Sequence, residues 1–233
     1  MARRPENPIL LPDEAIFMIH SINLIVFDLD GTLVDSLPDL AVAANHALRR
    51  LGLPEHPLEA HQKMIGGGEK NYVRRLLGDE HQHLFPQALE LYLAHYSRHL
   101  GDRTRIYPGV TATLARLSSW KMAVLSNKRE DLCQGVVQTM GLADFFQAVR
   151  GGDSYGVLKP SSEGLGALIR ELGEEPTRTL MVGDKPEDIL TGRGAGAYTA
   201  AVTYGYGEVS ALTAAQPDNL LTTFPQVADL LAS

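Results

Sequence analysis

Short apolar runs alternate with longer segments of helical periodicity through most of the chain. Such runs are typical of buried strands, whereas apolar positions at helical spacing are typical of amphipathic helices. Strands that alternate with helices favour parallel pairing through right-handed crossovers, so the pattern predicts an α/β fold. The predicted strands are 24–27, 122–125, 180–182 and 199–202, with a weaker one at 148–151, and the predicted helices between them are 110–118, 131–140 and 162–172.

The pattern changes between residues 38 and 103, where no convincing strand is found. Residues 38–51 predict a helix with Asp35 or Ser36 near its N-cap, and residues 86–100 predict a second helix. A helical insertion at this point would lie over the strand ends as a lid. The expected division is a loose N-terminal extension at 1–19, a core formed by 20–37 and 104–233, and an all-helical cap at 38–103. Whether Met18 is an alternative start stays open.

Composition narrows the class of protein. The chain has 233 residues, enough for one large or two modest domains, and its net charge of -7 argues against a general binder of nucleic acid or anionic membranes. No apolar run approaches the roughly 20 residues that span a bilayer. The single cysteine, Cys133, cannot form an internal disulfide, which is compatible with a reducing compartment. We therefore expect a cytoplasmic protein, either a monomer or a homodimer.

The stretch IVFDLDGTLVD at 25–35 carries two acids one residue apart at the end of the first predicted strand. Side chains alternate along a strand, so Asp28 and Asp30 point to the same side. Gly31 permits a sharp bend and a close approach of a ligand to the main chain. This arrangement suits one carboxylate that attacks an electrophile beside another that moves a proton. The plainer interpretation is a strand that runs into an ordinary turn, where Asp and Gly are common.

Three further polar clusters accompany other apolar runs. They are Ser126 with Asn127, Lys159, and Asp184 with Asp188. Ligands of parallel sheets collect beyond the carboxyl ends of the strands, so these distant segments are expected to meet in one crevice. Acids gathered there cannot all stay ionised without a cation, and an all-oxygen site suits Mg²⁺. The alternative is a set of unrelated loop residues.

The glycine tract at 66–68 is the most unusual local feature of the predicted cap. Its backbone amides could face an anion, or the tract could be a flexible turn between two helices. Lys70, Arg74 and Arg75 follow it, either as partners of a substrate carboxylate or as a solvated helix face.

Seven of the eight histidines lie between His46 and His99. His95 and His99 have the spacing that brings two rings together on a helix, but no clear third metal ligand accompanies them. We therefore expect surface or core histidines here, and a metal site in the cap is the less favoured alternative.

Four stretches of the sequence have the order and content of a known motif set: FDLDGTLVDS at 27–36, AVLSNK at 123–128, LKP at 158–160 and MVGDKPEDILTGRGAG at 181–196. With them the chain closely resembles the haloacid dehalogenase superfamily, and within it the phosphoglycolate phosphatase-like branch with a helical cap of the C1 type. The resemblance begins at about residue 22, is specific for the core and is weaker for the cap. It implies a doubly wound parallel sheet with a smaller all-helical cap inserted after the first strand.

The resemblance also implies roles for individual residues. Asp28 would attack phosphorus to form an aspartyl-phosphate, while Asp30 would protonate the leaving oxygen and then deprotonate the attacking water. Lys159 would neutralise developing charge. The expected substrate contacts are Thr32, Gly67, Ser126, Asn127 and Lys159. The expected Mg²⁺ ligands are Asp28, the main-chain carbonyl of Asp30 and Asp184, with Asp188 holding a metal-bound water. Lys185 either tunes the metal site or faces solvent.

These implications favour a Mg²⁺-dependent phosphatase acting on a small phosphorylated metabolite, with 2-phosphoglycolate as the leading candidate. Asp30 argues against a dehalogenase, which carries a different residue at this position. A phosphosugar mutase, a sugar phosphatase and a pyrophosphatase of the same superfamily are the alternatives among enzymes. A regulator that binds phosphorylated ligands without catalysis is the alternative of another class, but it would require a disabled residue in the catalytic set, and none is missing.

Overall fold

The computed structural model describes residues 21–231. The predictions for 1–19, including Met18 as an alternative start, lie outside the described residues. The strands are β1 (Leu24–Phe27), β2 (Val34–Asp35), β3 (Arg105–Ile106), β4 (Lys121–Leu125), β5 (Ala148–Arg150), β6 (Thr179–Gly183), β7 (Tyr198–Val202) and β8 (Asn219–Leu221). The α-helices are α1 (Leu37–Arg50), α2 (Leu58–Met64), α3 (Gly68–Leu77), α4 (Phe85–Tyr96), α5 (Val110–Arg116), α6 (Glu130–Thr139), α7 (Glu163–Glu171), α8 (Pro186–Ala195), α9 (Val209–Ala214) and α10 (Gln226–Asp229). None of these helices is long and apolar enough to cross a bilayer.

Six strands form one parallel sheet in the order β5-β4-β1-β6-β7-β8. The first strand of the chain is therefore central, with β4 on one side and β6 on the other. Phe27 at the end of β1 lies opposite Val124 of β4 and Val182 of β6. Because the three strands end nearly level, the loops that follow them open at one point of the sheet edge, which is where ligands bind in such sheets.

Helices cover both faces of this sheet, which confirms the predicted doubly wound α/β fold. Ile25 and Phe27 point into the core against α5, α6 and α10, whereas Leu24 and Val26 point into the core beneath α7. The helices α8 and α9 pack over β7 on the same face as α7. Since both faces are buried, the strands read as continuous apolar runs instead of alternating patterns.

Three strands were not predicted from the sequence. The edge strand β8 is only three residues long and exposes Leu220, so it lacks the apolar run that marked the other strands. The strands β2 and β3 have two residues each and pair antiparallel with one another. Their pairing depends on a tertiary approach of distant segments, which no local periodicity encodes.

The segment between β2 and β3 forms a helical insertion in which α1 packs against α4, with α2 and α3 beside them. The two predicted helices correspond to α1 and α4, although α4 ends at Tyr96, earlier than expected. The β2–β3 ribbon joins the two connections to the core, and the predicted cap boundaries at 38 and 103 lie beside it. Asp39 of α1 also accepts hydrogen bonds from the backbone of Arg103 and Thr104, so the two connections are bound together.

Candidate active site

A buried lysine lies between two acids beyond the central strands. Lys159 Nζ is 2.8 Å from Asp28 Oδ1 and 2.7 Å from Asp188 Oδ1, and it donates to the Leu125 carbonyl at 2.9 Å. Burial lowers the pKa of Lys159, but the charges of Asp188 and Asp28 outweigh burial and raise that pKa overall. The lysine is therefore held as a cation beside Asp28, and its predicted catalytic role stays a prediction.

Asn127 fixes the position of this lysine. Its Nδ2 donates to the Lys159 carbonyl at 3.0 Å, and the Lys159 backbone N–H donates to its Oδ1 at 2.7 Å. Both ends of the amide are thus occupied by Lys159, a role that sequence reasoning missed. The predicted phosphoryl contact of the Asn127 side chain stays a prediction, to which this geometry lends no support. Ser126, the other predicted phosphoryl ligand, lines the cavity beside Asp28.

Three carboxylates form an acidic cluster, and two of them, Asp28 and Asp188, line the same cavity. Asp28, Asp184 and Asp188 each place a carboxylate oxygen so that the three atoms lie within 4.8 Å of one another. Burial, followed by the charge of Asp28, raises the pKa of Asp184 to about 8 and that of Asp188 to about 6. Buried acids this close repel one another, and a divalent cation bound to their oxygens would relieve that repulsion. The donor set fits Mg²⁺.

Asp184 is held by contacts from two separate segments. Thr32 Oγ1 donates to its Oδ1 at 3.2 Å, and the backbone N–H of Tyr206 donates to its Oδ2 at 2.7 Å. Gly31 has a φ of +88°, and a Cβ there would lie 2.3 Å from Asp184 Oδ2. The glycine that predicted a bend therefore also makes room for the acid. Thr32 is fully buried, so its hydroxyl supports Asp184 instead of facing the cavity, and its predicted substrate contact stays a prediction.

Asp188 lies in the first turn of α8, where a negative charge is favourable. Its backbone N–H donates to the Lys185 carbonyl at 3.0 Å, and the Lys185 N–H donates back to Asp188 Oδ2 at 3.0 Å. A Cβ on Gly183 would lie 2.2 Å from Asp188 Cγ, so the glycine before Asp184 is required for the acid to fold back.

Asp30 belongs to a second charged group beside the acidic cluster. Its Oδ1 accepts hydrogen bonds from Ser36 Oγ and from Lys128 Nζ, the latter at 2.7 Å. Lys128 also donates to Tyr96 Oη at 2.8 Å and is almost completely buried. Ser36 stands at the N-cap of α1 as predicted, but its hydroxyl binds Asp30 instead of capping the helix. Neither Lys128 nor Tyr96 was assigned a role from the sequence; a lysine three residues beyond the end of β4, in AVLSNK, was the available signal.

The helical insertion reaches the site through its glycine tract. Residues 66–68 line the cavity together with Asp28, Asp30 and Ser126. Lys185 Nζ donates to the Ile65 carbonyl at 2.7 Å, and Glu69 Oε1 accepts from the backbone N–H of Arg129 at 3.0 Å. The predicted site residue Gly67 is therefore at the cavity, although no contact identifies a ligand for it.

The basic residues after the tract have structural positions. Arg75 Nη1 donates to the carbonyls of Met64 at 2.7 Å and Gly66 at 2.8 Å, so it stabilises the backbone of the glycine tract. The Arg74 guanidinium lies 4.5 Å from the centroid of the Phe85 ring, and Lys70 is exposed. None of the three lines the cavity, which agrees with the solvated-face interpretation.

Three of the cap histidines, His46, His95 and His99, lie ring against ring. The His46 and His95 rings lie 4.4 Å apart between centroids, as do those of His95 and His99. Within residues 21–231, the three carboxylates of the acidic cluster are the only metal-ligating side chains whose donor atoms converge.

Tyr206 connects the site to the beginning of the insertion, which the sequence did not reveal. Its hydroxyl donates to Asp35 Oδ1 at 2.8 Å and accepts from the backbone N–H groups of Ser36 at 2.8 Å and Leu37 at 3.0 Å. Because its own N–H binds Asp184, this tyrosine joins the acidic cluster to the N-terminus of α1.

Comparison with known proteins gives a consistent result. The family model of haloacid dehalogenase-like hydrolases matches residues 25–202. A phosphoglycolate phosphatase from Neisseria meningitidis is 36% identical over 219 residues, which cover 90% of this chain and 93% of that protein. One from Aquifex aeolicus is 36% identical over 204 residues, which cover 85% of this chain and 94% of that protein. The crystal structure described as a predicted phosphoglycolate phosphatase from Haemophilus somnus 129PT aligns with a TM-score of 0.85 at 29% identity, covering 91% of this chain and 99% of that one.

The match includes β1, β4, β6 and β7, together with the loops that carry Asp28, Ser126, Lys159 and Asp184. The superfamily assignment made from four short motifs is thereby confirmed, and the parallel sheet agrees with that of the structural neighbour. The chain belongs to the family of haloacid dehalogenase-like hydrolases.

Proposed function

We propose that the protein is a Mg²⁺-dependent phosphatase that hydrolyses a small phosphomonoester through an aspartyl-phosphate, with 2-phosphoglycolate as its substrate. The family and the names of the relatives make it a phosphoric monoester hydrolase. The observation that carries the finer proposal is the pair Asp28 and Asp30, which share one strand end but have different environments. Asp28 lies beside Lys159 and the other acids, whereas Asp30 is bound by Lys128 and Ser36.

Asp28 is the group placed to attack phosphorus. One of its oxygens forms the new bond to phosphorus while the ester bond to the leaving oxygen breaks, which leaves the phosphoryl group on the aspartate. Lys159, fixed 2.8 Å from Asp28 Oδ1, compensates the negative charge that gathers on the phosphoryl oxygens. Ser126 lines the same cavity and has a hydroxyl to donate to one of them.

Asp30 is placed to move the proton. Both of its hydrogen bonds are made to Oδ1, which leaves Oδ2 without a partner among the described residues. Through this oxygen it would give a proton to the leaving alkoxide and then take one from the water that hydrolyses the aspartyl-phosphate. Lys128 and Ser36 keep the carboxyl group in one orientation during both steps.

Mg²⁺ would be held by the carboxylates of Asp28 and Asp184 and the main-chain carbonyl of Asp30, with Asp188 supporting the site. When bound, the ion neutralises the acids and polarises the phosphoryl group. The support for it is the convergence of three buried carboxylates, together with the pKa values of Asp184 and Asp188, which burial and the charge of Asp28 raise. Thr32 and Tyr206 orient Asp184 for this purpose.

The helical insertion would act as a lid that excludes water from the phosphoryl group. It touches the core near the site through Lys185 and Glu69, and its two connections are joined by the β2–β3 ribbon. The domain division at 38–103, a cytoplasmic location and the choice between monomer and homodimer stay predictions.

A turnover screen tests the proposal. Purified protein is incubated with Mg²⁺ and a panel of phosphomonoesters that includes 2-phosphoglycolate, and released phosphate is measured for the native chain, Asp28→Asn and the exposed control Asp229→Asn. We expect 2-phosphoglycolate to give the highest kcat/KM, and Asp28→Asn to lower turnover by at least about a thousandfold.

The same screen separates the alternatives. A phosphorylated isomer without free phosphate would identify a mutase, and a sugar phosphate or pyrophosphate as the best substrate would identify the corresponding hydrolase. Binding of phosphorylated ligands without turnover would identify a regulator. Equal activity of the native chain and Asp28→Asn would refute the proposed nucleophile.

A further inference from the structure

Lys185 differs from the other two lysines of the cavity. Lys128 and Lys159 have their charges directly paired, the first with Asp30 and the second with Asp28 and Asp188. Lys185 Nζ donates at 2.7 Å to a neutral acceptor, the carbonyl of Ile65 in the insertion. Within residues 21–231 no carboxylate lies in ion-pair distance of it. The cavity therefore has one cation without a direct ion pair, although its charge partly offsets the rise in the pKa of the neighbouring Asp184.

The position of this ammonium group is built into the glycine tract. A Cβ on Gly66 would lie 2.8 Å from Lys185 Nζ, so any side chain there would push the ammonium group away. Gly66 has a φ of +128°, and Arg75 holds its carbonyl from behind. The backbone of Lys185 is fixed as well, because its N–H donates to Asp188 Oδ2. Lys185 thus reaches from the catalytic loop to the lid along a defined path.

Because the other residues that line the cavity are largely acidic, a cation without a direct ion pair is important for binding an anionic substrate. Five acids line the cavity: Asp28, Asp30, Glu69, Glu187 and Asp188. Two of the three lysines there, Lys128 and Lys159, are neutralised by ion pairs with these acids. A substrate that carries a negative group besides its phosphate would be repelled by such a lining unless a cation received that group. An ammonium group has three N–H donors, and the Ile65 carbonyl takes one of them, so two are left for a ligand.

We propose that Lys185 is the residue that recognises the carboxylate of the substrate's leaving group, and thereby makes this enzyme selective for phosphomonoesters of small hydroxy acids. The inference rests on the proposed function and adds the residue that determines substrate class. Lys185 contacts the non-reacting end of the substrate while Asp28 and Asp30 act on the phosphoryl end. Its bond to Ile65 places the lid in contact with the same ammonium group, so the carboxylate is enclosed between the catalytic loop and the glycine tract.

Two substrates of similar size test this assignment. 2-Phosphoglycolate and 2-hydroxyethyl phosphate differ at the carboxylate, which is replaced by a neutral hydroxymethyl group. Kinetics with both are measured for the native chain, Lys185→Met, Lys185→Arg and the exposed control Lys70→Met. Thermal unfolding of each variant shows that it is folded.

We expect Lys185→Met to lower kcat/KM for 2-phosphoglycolate by about ten- to a hundredfold, the range of a lost charge-assisted hydrogen bond. The loss should lie mainly in KM, because the contact is to a group that does not react. Activity on 2-hydroxyethyl phosphate should change by less than about threefold, Lys185→Arg should keep most of the discrimination, and Lys70→Met should match the native chain.

An equal loss of kcat/KM on both substrates would show that Lys185 only holds the insertion against the core. No loss on either substrate would show that Lys185 faces solvent. Both results overturn the assignment. Failure of the proposed function is seen elsewhere, in the native chain alone. If the native chain does not prefer 2-phosphoglycolate to its neutral analogue, the proposed substrate is wrong whatever the variants do.

Discussion

The core side and the insertion side of the cavity hold their residues in different ways. On the core side each acid is fixed by side-chain contacts from distant segments, as Asp184 is by Thr32 and Asp188 is by Lys159. Around the glycine tract of the insertion the contacts run through backbone groups, from Lys185 to the Ile65 carbonyl and from Glu69 to the Arg129 N–H. Tyr96 at the end of α4 is the side-chain contact described above, since its hydroxyl accepts from Lys128. Chemistry needs fixed side chains, whereas a lid that opens needs contacts that are few and easily remade.

This difference separates reaction from selection. The core side supplies the nucleophile, the proton carrier and the metal ligands, and these residues have no freedom to vary with the leaving group. The insertion and Lys185 form the boundary of the space that remains for the leaving group. Changes on the core side should therefore alter kcat for all substrates, while changes at the contact with the insertion should alter KM and substrate preference.

The largest effect that tests this division is expected for Asp30→Asn. The amide has the shape of the carboxyl group but cannot transfer its proton, so turnover of 2-phosphoglycolate should fall by about 10²- to 10⁴-fold. With p-nitrophenyl phosphate the leaving group departs without a proton, so a burst of about one equivalent of p-nitrophenolate per enzyme should remain. The burst is measured by stopped-flow absorbance in the presence of Mg²⁺.

Two further measurements complete that prediction. Mg²⁺ binding of Asp30→Asn should be close to native, because the ion would contact this residue through its main-chain carbonyl. Its melting temperature should fall, because the amide leaves the buried charge of Lys128 without its carboxylate partner. Equal steady-state rates of native enzyme and variant on 2-phosphoglycolate would remove the proton-transfer role of Asp30.

Much of the core could be predicted from sequence, because three groups of the site directly follow buried apolar runs. Asp28 follows β1, Ser126 follows β4 and Asp184 follows β6, so strand prediction alone placed them at one sheet edge. Contacts between side chains could not be derived in this way. Lys128 and its two partners, Asp30 and Tyr96, come from three segments far apart in sequence. Local periodicity has no information about contacts of this kind.

The insertion was predicted less completely for a physical reason. Its helix α2 has seven residues and buries only His61, so it has no apolar period. The helix α3 buries Tyr72, Val73, Leu76 and Leu77 at helical spacing, a signal that the prediction did not use. The sequence indicated that the glycine tract was unusual but left open whether it binds an anion or turns the chain. The structure shows why it contains glycine: positive φ angles at all three positions and the approach of Lys185 Nζ and the Asn127 carbonyl.

A medium-sized effect is expected on stability as a function of pH in the absence of metal. The pKa of Asp184 is raised to about 8 in the folded protein, above its ordinary value of 3.8. Between these two values the folded state holds a proton that the unfolded state has released, so the free energy of unfolding falls as pH rises toward 8. The best pH range for this measurement is 6.5 to 8. Burial lowers the pKa of His46, His61 and His95 below their ordinary value of 6.5, so these histidines titrate mainly below this range.

In EDTA the melting temperature should therefore decrease across this window by several degrees, at roughly 2–4 °C per kcal/mol for a chain of this size. Mg²⁺ should reverse the decrease and stabilise more at pH 8 than at pH 6.5, because it binds the ionised acids. Asp184→Asn should flatten the EDTA profile. A native profile that rises with pH, or an unchanged one in the variant, would contradict the account of the acidic cluster.

The smallest effect is expected at the second contact between the insertion and the core. Glu69 is buried, burial raises its pKa, and its Oε1 accepts the Arg129 N–H at 3.0 Å. Glu69→Gln keeps an acceptor oxygen and should leave kinetics within about twofold of native, whereas Glu69→Ala leaves a buried N–H unpaired and should raise KM several-fold, with kcat nearly unchanged. Steady-state kinetics on 2-phosphoglycolate distinguish the two variants. If Glu69→Ala lowered kcat as strongly as Asp30→Asn does, the insertion would take part in the chemistry, and the division between a reacting side and a selecting side would be wrong.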